Sequence, residues 1–407
     1  MRAFLALVIT LLIQAFSALA LMAVPVLVPA AAGVPRLTPI GIGMYVLVAY
    51  LGAVIGSLSA GALVDRWGAI RASQGALLLS AAGLVLAALV PWALFPAALL
   101  VGLGYGPITP ASSHVLIRTT PAPRRNLVFS IKQTGVPLGV ALSGFTVPPL
   151  SAAAGWTGTL LVLALVCVVA VLGAQPIQRA LDAETASEPA TGAAGASGIA
   201  RRLVRNLLEP LAVIFRHPGL RTLAAVSFVL SGMQISFTSY LVTYLTSQLA
   251  LTALLAGSLL GLSQTGGVIG RVAWGWLSDR HVHPLYVLAM LCVGVSLAAF
   301  ATGALSVFQV VPPGPVLAAL MFVFGASVSG WNGVYLAEVA RQAPPGAAGK
   351  ATSGTLAVTF LGVLVGAPLF GLLASSGGGF AAAFGFHAAL ALVLAFVLWR
   401  LGGRERG

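Results

Sequence analysis

The sequence predicts an all-α membrane protein: twelve transmembrane helices in two six-helix halves, a parallel repeat around a central cavity. Three observations carry this. Of 407 residues, 59% are hydrophobic and only 7% charged, where a soluble domain carries about 25% charged residues. Twelve apolar runs, each near the roughly 20 residues that a bilayer-crossing helix needs, divide six and six about a longer polar connector. A short motif at the end of the second run recurs at the same place in the second set. This composition excludes a soluble enzyme, and its hydrophobicity excludes a disordered chain.

The runs lie near residues 3–32, 40–64, 72–91, 93–117, 127–150 and 156–175, and then near 220–247, 253–277, 284–308, 314–340, 351–374 and 379–400. Barrel strands alternate apolar and polar residues and give no such runs. A segment in lipid must satisfy its own backbone hydrogen bonds, which leaves the helix. The first run passes Ala18-Leu19-Ala20, which looks like a signal-cleavage site, but continues to Ala32. That is too long for a signal peptide, so it reads as an uncleaved first span.

An even number of spans puts both termini on one side. Apart from Arg36, and from Lys132 and Arg271 inside runs, each of the 21 Lys and Arg residues falls in a gap on that side. The positive-inside rule then places both termini in the cytoplasm, the chain being a multi-pass protein of the inner (plasma) membrane. The formal charge of +13 is therefore a topology signal, and no nucleic-acid partner is expected. Cys167 and Cys292 lie in apolar runs and read as buried thiols.

The expected domains are residues 1–175, a cytoplasmic linker at 176–219, and residues 220–407. Within the linker, Thr185 to Gly198 is small and polar and reads as flexible. Ile199 to Phe215 places Leu203, Leu207, Leu211 and Ile214 on one helical face, as in a helix lying on the membrane surface or a simple tether. Small residues four apart, at Gly52/Gly56, Gly102/Gly106, Gly135/Gly139, Gly266/Gly270 and Gly362/Gly366, suit close helix packing. Pro107, Pro110, Pro137 and Pro368 imply kinks.

The repeated motif is Gly56-Ser-Leu-Ser-Ala-Gly61-Ala-Leu-Val-Asp65-Arg66, matched by Gly270-Arg-Val-Ala-Trp-Gly275-Trp-Leu-Ser-Asp279-Arg280 at a constant offset. Two halves of like orientation are one of the known transporter architectures. With Gly68 and Arg71, the first copy resembles the loop 2–3 signature of the major facilitator superfamily. The second copy lacks the later glycine and reads His281-Val282-His283-Pro284. The stretch Phe129-Ser-Ile-Lys132-Gln133-Thr-Gly135-Val-Pro137-Leu-Gly139 is similar to a bacterial branch grouped with cyanate-permease-like proteins.

The resemblance implies a conformational latch at these loops: Gly61, Asp65, Arg66 and Arg71 in one half, Gly275, Asp279 and Arg280 in the other. The glycines are read as allowing close helix contact. Carboxylate–guanidinium pairs at a water–lipid boundary can hold one state and release in another. Glu338 and Arg341, at the end of span 10, would complete the second latch with Asp279 and Arg280. The matching end of span 4 offers Arg118 and His114 but no glutamate. The alternative is ordinary charge placement at helix ends.

Charge inside a span marks function by default. At 1.5 Å per residue, Arg271 lies about 12 Å before Asp279 and Lys132 about 9 Å beyond Asn126. None of the eight acidic residues is near the middle of a span. Two interior cations without a resident anion suggest that the substrate supplies one, and the resemblance adds that several anion carriers use an arginine in this part of span 8. Alternatively, both cations cap carbonyls or pair with the latch acids. Gln14, Tyr105, Gln133, Gln234, Gln264, Trp331 and Asn332 are further substrate-contact candidates, each equally readable as interhelical glue. His114 is the candidate for proton coupling, while His387 reads as packing.

No phosphate loop, nucleotide fingerprint or catalytic-triad spacing is present, and His281 with His283 gives too few ligands for a metal site. No enzyme activity, metal or cofactor is expected. The expected function is secondary active transport of a small organic or inorganic anion, by alternating access and with proton coupling, in a monomer whose partners are the solute, protons and the bilayer. The alternative is a proton-driven exporter of drugs or metabolites. A membrane sensor would need a soluble signalling domain, for which the connector is short.

Overall fold

A computed structural model describes residues 2–29, 37–121, 125–182, 209, 211–344 and 347–404. Among these the chain is helical, with fourteen α-helices numbered here in order. They are α1 Arg2–Leu27, α2 Pro39–Trp67, α3 Ala69–Leu89, α4 Leu94–Tyr105, α5 Ile108–Thr119, α6 Arg125–Gln133 and α7 Gly135–Asp182. Then come α8 Pro218–Gln248, α9 Ala253–Arg280, α10 Pro284–Phe308, α11 Gly314–Val328, α12 Trp331–Gln342, α13 Ala348–Ala374 and α14 Gly379–Arg404. Thr185 to Gly198, most of Ile199 to Phe215, and the charges at Arg36, Arg124 and Arg406 lie outside the described residues.

Eleven helical stretches are long and apolar enough to cross a membrane among the described residues. The longest is two spans. A 48-residue helix would measure about 72 Å against a hydrocarbon core of about 30 Å. Gly155, at φ 64° and ψ −167°, turns the chain there, in a region open essentially to glycine alone. Trp156 Nε1 then donates to the Ala87 carbonyl (2.9 Å), tying the start of span 6 to the end of α3. The count is thus the twelve spans expected.

The contacts divide the chain into two compact units: Met1–Leu37, Met44–Ala193 and Ala253–Gly261, and Thr38–Gly43, Ala194–Thr252 and Leu262–Gly407. In the first, the faces of Gly52, Gly56, Gly102 and Gly106 interlock. A β-carbon on Gly52 or Gly56 would lie 2.5 Å from the carbonyl of Leu99 or Leu103, and one on Gly102 would run into the Ala49 carbonyl. In the second unit, Gly270 meets Ala326 in the same way, Gly266 meets Phe322, and Gly325 meets Ser263. Gly52 and Gly56 relate to Gly266 and Gly270 by the offset of the motif itself, so the internal repeat is a repeat of packing.

Span 4 is interrupted at Gly106-Pro107, between α4 and α5, and span 10 at Ser329-Gly330, between α11 and α12. Pro107 and Pro110 have no N–H, so the carbonyls of Leu103 and Gly106 lose their partners four residues on. Span 5 is likewise interrupted at Thr134, between α6 and α7, just before Pro137.

The loop between spans 2 and 3 holds a contact that no local pattern announces. Helix α7 runs to Asp182, past the expected linker start at 176. There the Asp182 carboxylate caps α3: Ile70 N donates to Oδ1 (2.8 Å) and Arg71 N to Oδ2 (3.1 Å). Gln178 Nε2 also donates to Oδ2 (2.8 Å). Gly68 sits directly under this carboxylate at φ 86°, and a β-carbon there would collide with Asp182 Cβ and Cγ. In the second copy His283 caps α10 instead, its Nδ1 accepting from Leu285 N (3.4 Å), with Pro284 in the first turn.

Loss of an N-cap oxygen typically costs about 1 kcal/mol, up to about 2. Asp182→Ala is therefore expected to destabilise the detergent-solubilised protein by about 1–2 kcal/mol, with Asp182→Asn losing less because one oxygen acceptor remains. Gly68→Ala should destabilise as much or more. Thermal unfolding of the three variants checks this order.

Candidate functional site

The first unit buries a cation. Lys132 is 1% exposed and Gln14 fully buried. Lys132 Nζ donates to Gln14 Oε1 (2.9 Å) and to Thr109 Oγ1 (3.4 Å), and the Thr109 hydroxyl donates to Gln14 Oε1 (3.0 Å). Three spans meet here: α6 brings the ammonium, α1 the amide, and α5, just past the Gly106-Pro107 interruption, the hydroxyl. All the partners of the ammonium are neutral, and two of its three protons are taken up. Gln14 Nε2 is buried with no hydrogen-bond partner among the described residues, and so is Ser17 Oγ, one turn further along α1.

This arrangement has a chemical consequence. An unpaired buried donor costs roughly 1–3 kcal/mol, and a buried charge without an opposite charge more. With Lys132 protonated, the site presents spare N–H donors and a net positive charge, the set that an incoming carboxylate or nitrate-like oxyanion satisfies. Thr109 and Ser17 are not among the residues that the sequence singles out. The signal for Thr109 is its place two residues after Pro107, where a side chain projects at a helix interruption. Gln133 is half-buried next to Lys132, and Tyr105 pairs with Tyr50, ring centroids 6.1 Å apart. His114 is half-buried on α5, five residues beyond Thr109.

The second unit repeats part of this pattern without the cation. Gln234 Oε1 accepts from Trp331 Nε1 (3.1 Å) and, at the limit of hydrogen-bond distance, from Asn332 Nδ2 (3.5 Å). Gln14 and Gln234 occupy the first span of their respective halves. Each bonds the first turn of the helix that follows the interruption, Thr109 in α5 and Trp331-Asn332 in α12. Gln264 is buried, its Nε2 3.5 Å from Ser263 Oγ.

Arg271 takes the carbonyl-capping role that the sequence left open beside substrate binding: its Nε donates to the Ser329 carbonyl (2.9 Å), at the interruption between α11 and α12. Trp274, one turn on, donates from Nε1 to the Ala326 carbonyl (3.2 Å). Together they hold the junction that carries Trp331 and Asn332. His387 is buried, with Nδ1 2.9 Å from the Ala383 carbonyl and its ring against Phe370, as a packing residue would be.

The latch residues are not brought together. Asp65, Arg66, Arg71, Asp279 and Arg280 are exposed, and no side-chain hydrogen bond or ion pair of theirs is found among the described residues. Glu338 is fully buried and bonded by Arg341, Nε to Oε2 at 2.8 Å and Nη2 to Oε1 at 2.6 Å, and by Gln342 at 2.6 Å. All three lie on α12, so Glu338 and Arg341 engage each other and not Asp279 or Arg280. Gly61 and Gly275 do not make the close helix contact expected of them: a β-carbon on either would meet nothing within 4 Å in its own unit. The loop glycine that is tightly packed is Gly68.

A buried ion held by a neutral amide and a hydroxyl separates structural from functional roles. Replacing a buried charge by an apolar side chain of similar volume is often neutral or stabilising, whereas removing its partner is not. Lys132→Met is expected to melt at or above wild type, and Gln14→Leu several degrees below it, in a detergent thermal-unfolding assay.

Comparison with known proteins accords with this fold. Residues 10–355 match the family model for the Major Facilitator Superfamily. The chain is 27% identical over 351 residues to the 4-hydroxybenzoate transporter PcaK of Pseudomonas putida, covering 80% of this chain and 76% of that one. It is 25% identical to the gentisate transporter of Corynebacterium glutamicum, over 80% of this chain and 71% of that one. A shorter match, 30% identical over 157 residues and 38% of each chain, is to a probable nitrate/nitrite transporter, NarK2, of Mycobacterium tuberculosis. Among solved structures, a peptide transporter POT superposes with a TM-score of 0.75 at 19% identity, over 98% of this chain and 94% of that one. A D-xylose–proton symporter gives 0.73 at 16% identity, over 98% and 96%; at such identities these two speak for the fold alone. Twelve apolar spans, two units related by a packing repeat and the family match over most of the length make this a non-enzymatic, multi-pass membrane transport protein, and the chain belongs to the Major Facilitator Superfamily.

Proposed function

We propose that this protein is a secondary transporter of small anions, an aromatic carboxylate or a nitrate-like oxyanion, and that Lys132 is the group that pairs with the anion. The observation that carries this is the Lys132 ammonium, buried among neutral partners beside an unpaired Gln14 N–H. Relatives that carry 4-hydroxybenzoate, gentisate and nitrate or nitrite support the same ligand charge. Gln14, Thr109 and Gln133 would shape the anion site. In the other half Gln234, Trp331 and Asn332 would contact the solute, with Gln264 and Tyr105 in secondary roles and Arg271 positioning the α11–α12 junction.

Transport would proceed by alternating access of the two six-span halves, in a monomer with both termini in the cytoplasm. The connector between the halves would begin after Asp182. The exposed Asp65-Arg66 and Asp279-Arg280 corners would act as latches by finding their partners in another conformational state.

The test is a thermal-shift panel on purified protein, comparing 4-hydroxybenzoate, gentisate and nitrate with lipophilic cations, followed by uptake of the best anion into proteoliposomes. Stabilisation by one anion, lost in Lys132→Met and kept in part by Arg271→Gln, is the expected result. Stabilisation by lipophilic cations, unchanged in Lys132→Met, would sink the anion reading and favour a drug exporter. Asp65→Asn and Asp279→Asn are expected to slow uptake while leaving the thermal shift within error of wild type, as latch residues outside the binding site would.

A further inference from the structure

We propose that Lys132 also carries the coupled proton: its neutral amine takes up a proton from the side on which the anion enters, and the anion pairs with the ammonium so formed. This rests on the anion-transport reading and adds to it the identity of the coupling group.

The first support is the placement of the acids, with His114 left to the experiment below. Among the described residues no carboxylate is placed to do the task. Asp65 and Asp279 are exposed at helix ends, Asp182 caps α3, and Glu338 is bonded by Arg341 and Gln342. Glu209 pairs with Lys350 at 3.0 Å, and Glu184, Glu188 and Glu405 belong to the connector and the terminus. Arg271 does not give up a proton in proteins, and His387 is enclosed by aromatic side chains.

The second support is geometric. Lys132 has two partners, and one of them can change role. With an ammonium, Thr109 Oγ1 accepts from Nζ (3.4 Å) and donates to Gln14 Oε1 (3.0 Å). With an amine, the same hydroxyl can turn to donate to the Nζ lone pair, while an amine N–H still reaches Gln14 Oε1. The site therefore accommodates both protonation states without a side-chain rearrangement. A carboxylate in place of Gln14 would pin the proton on Lys132. The other titratable or charged side chains on the helices packed against α6 are Arg2 on α1, His114 and Arg118 on α5, and Cys167, Arg179 and Asp182 on α7, with Arg125 on α6 itself. Of these Asp182 is the one acid, and it is engaged at α3.

The step balances simply. On loading, one N–H bond forms between Nζ and a proton from water, and a monoanion binds beside it. On release that N–H bond breaks, and the proton and the anion leave together. The empty carrier returns with a neutral amine at this site, so one proton accompanies each monovalent anion.

The experiment uses the full-length protein in proteoliposomes, with 4-hydroxybenzoate and nitrate as probes. In wild type, a one-unit inward proton gradient should raise accumulation of the transported probe about tenfold, the equilibrium factor for one proton per anion. Lys132→Arg, which keeps the charge but not the exchangeable proton, should bind the probe and exchange it at equilibrium yet show no response to the gradient. His114→Gln should respond like wild type. Gradient-driven accumulation by Lys132→Arg equal to wild type overturns this proposal and leaves the anion reading standing. Probe binding by Lys132→Met equal to wild type overturns both.

A second measurement on wild type alone covers an Arg variant that fails to fold. Binding of the probe at alkaline pH should draw about one proton from a weakly buffered solution, and the apparent Kd should rise about tenfold per pH unit once the amine is neutral. A Kd flat from neutral to strongly alkaline pH, with no proton taken up, overturns the proposal.

Discussion

In water an unpaired polar group is solvated; in hydrocarbon it has nothing to turn to, and each such group costs several kcal/mol. Several features of the described residues that depart from a plain apolar helix answer to that constraint. Glycine faces let carbonyls of one helix approach the next, as at Gly102 against Ala49 and Gly325 against Ser263. Trp156 and Tyr244 turn their polar tips to the backbone carbonyls of Ala87 and Thr302. Arg271 reaches the Ser329 carbonyl. Among the described residues, the one interior cation held by side chains alone, with donors beside it left unpaired, is Lys132, which is why the proposed function is built on it.

The two halves share a plan and diverge where chemistry is needed. In both, a glutamine from the first span is bonded to the first turn after an interruption in the fourth. Such interruptions at corresponding positions of two repeats are a general pointer to a binding site in transporters. In the first half the interruption delivers a hydroxyl, Thr109, to an ammonium. In the second it delivers an indole and an amide, held by an arginine behind the junction. The first half thus offers an ammonium and a hydroxyl, the second an indole and an amide.

The loops between spans 2 and 3, and between 8 and 9, diverge as well. The first is clamped from span 6 by Asp182, which needs the left-handed Gly68 beneath it and leaves the Asp65 and Arg66 side chains outward. The second has no such clamp among the described residues, and a histidine caps α10 locally ahead of Pro284. In that unit Tyr286 packs edge-on against Trp399, ring centroids 4.9 Å apart. Of the motif residues shared by both copies, Asp65, Arg66, Asp279 and Arg280 are exposed, whereas Gly56 and Gly270 are packed against a neighbouring helix.

The class of protein, the number and order of spans, the repeat and the interior cations are all legible in the residues before any coordinates. Those features follow from solvent: a run of apolar residues, a charge within it and a glycine every fourth residue mean the same thing whatever packs beside them. Partners are a matter of the folded chain. That Gln14 and Thr109 hold Lys132, that Arg271 holds a carbonyl, that Glu338 turns to Arg341 rather than to Asp279, and that Asp182 closes the loop over Gly68 each depend on residues tens to more than a hundred positions apart, or on which of two near neighbours a side chain faces. Composition and periodicity carry neither kind of information. A buried ion is recognised from sequence by its cost, but its role is set by which neighbours relieve that cost and which donors they leave open.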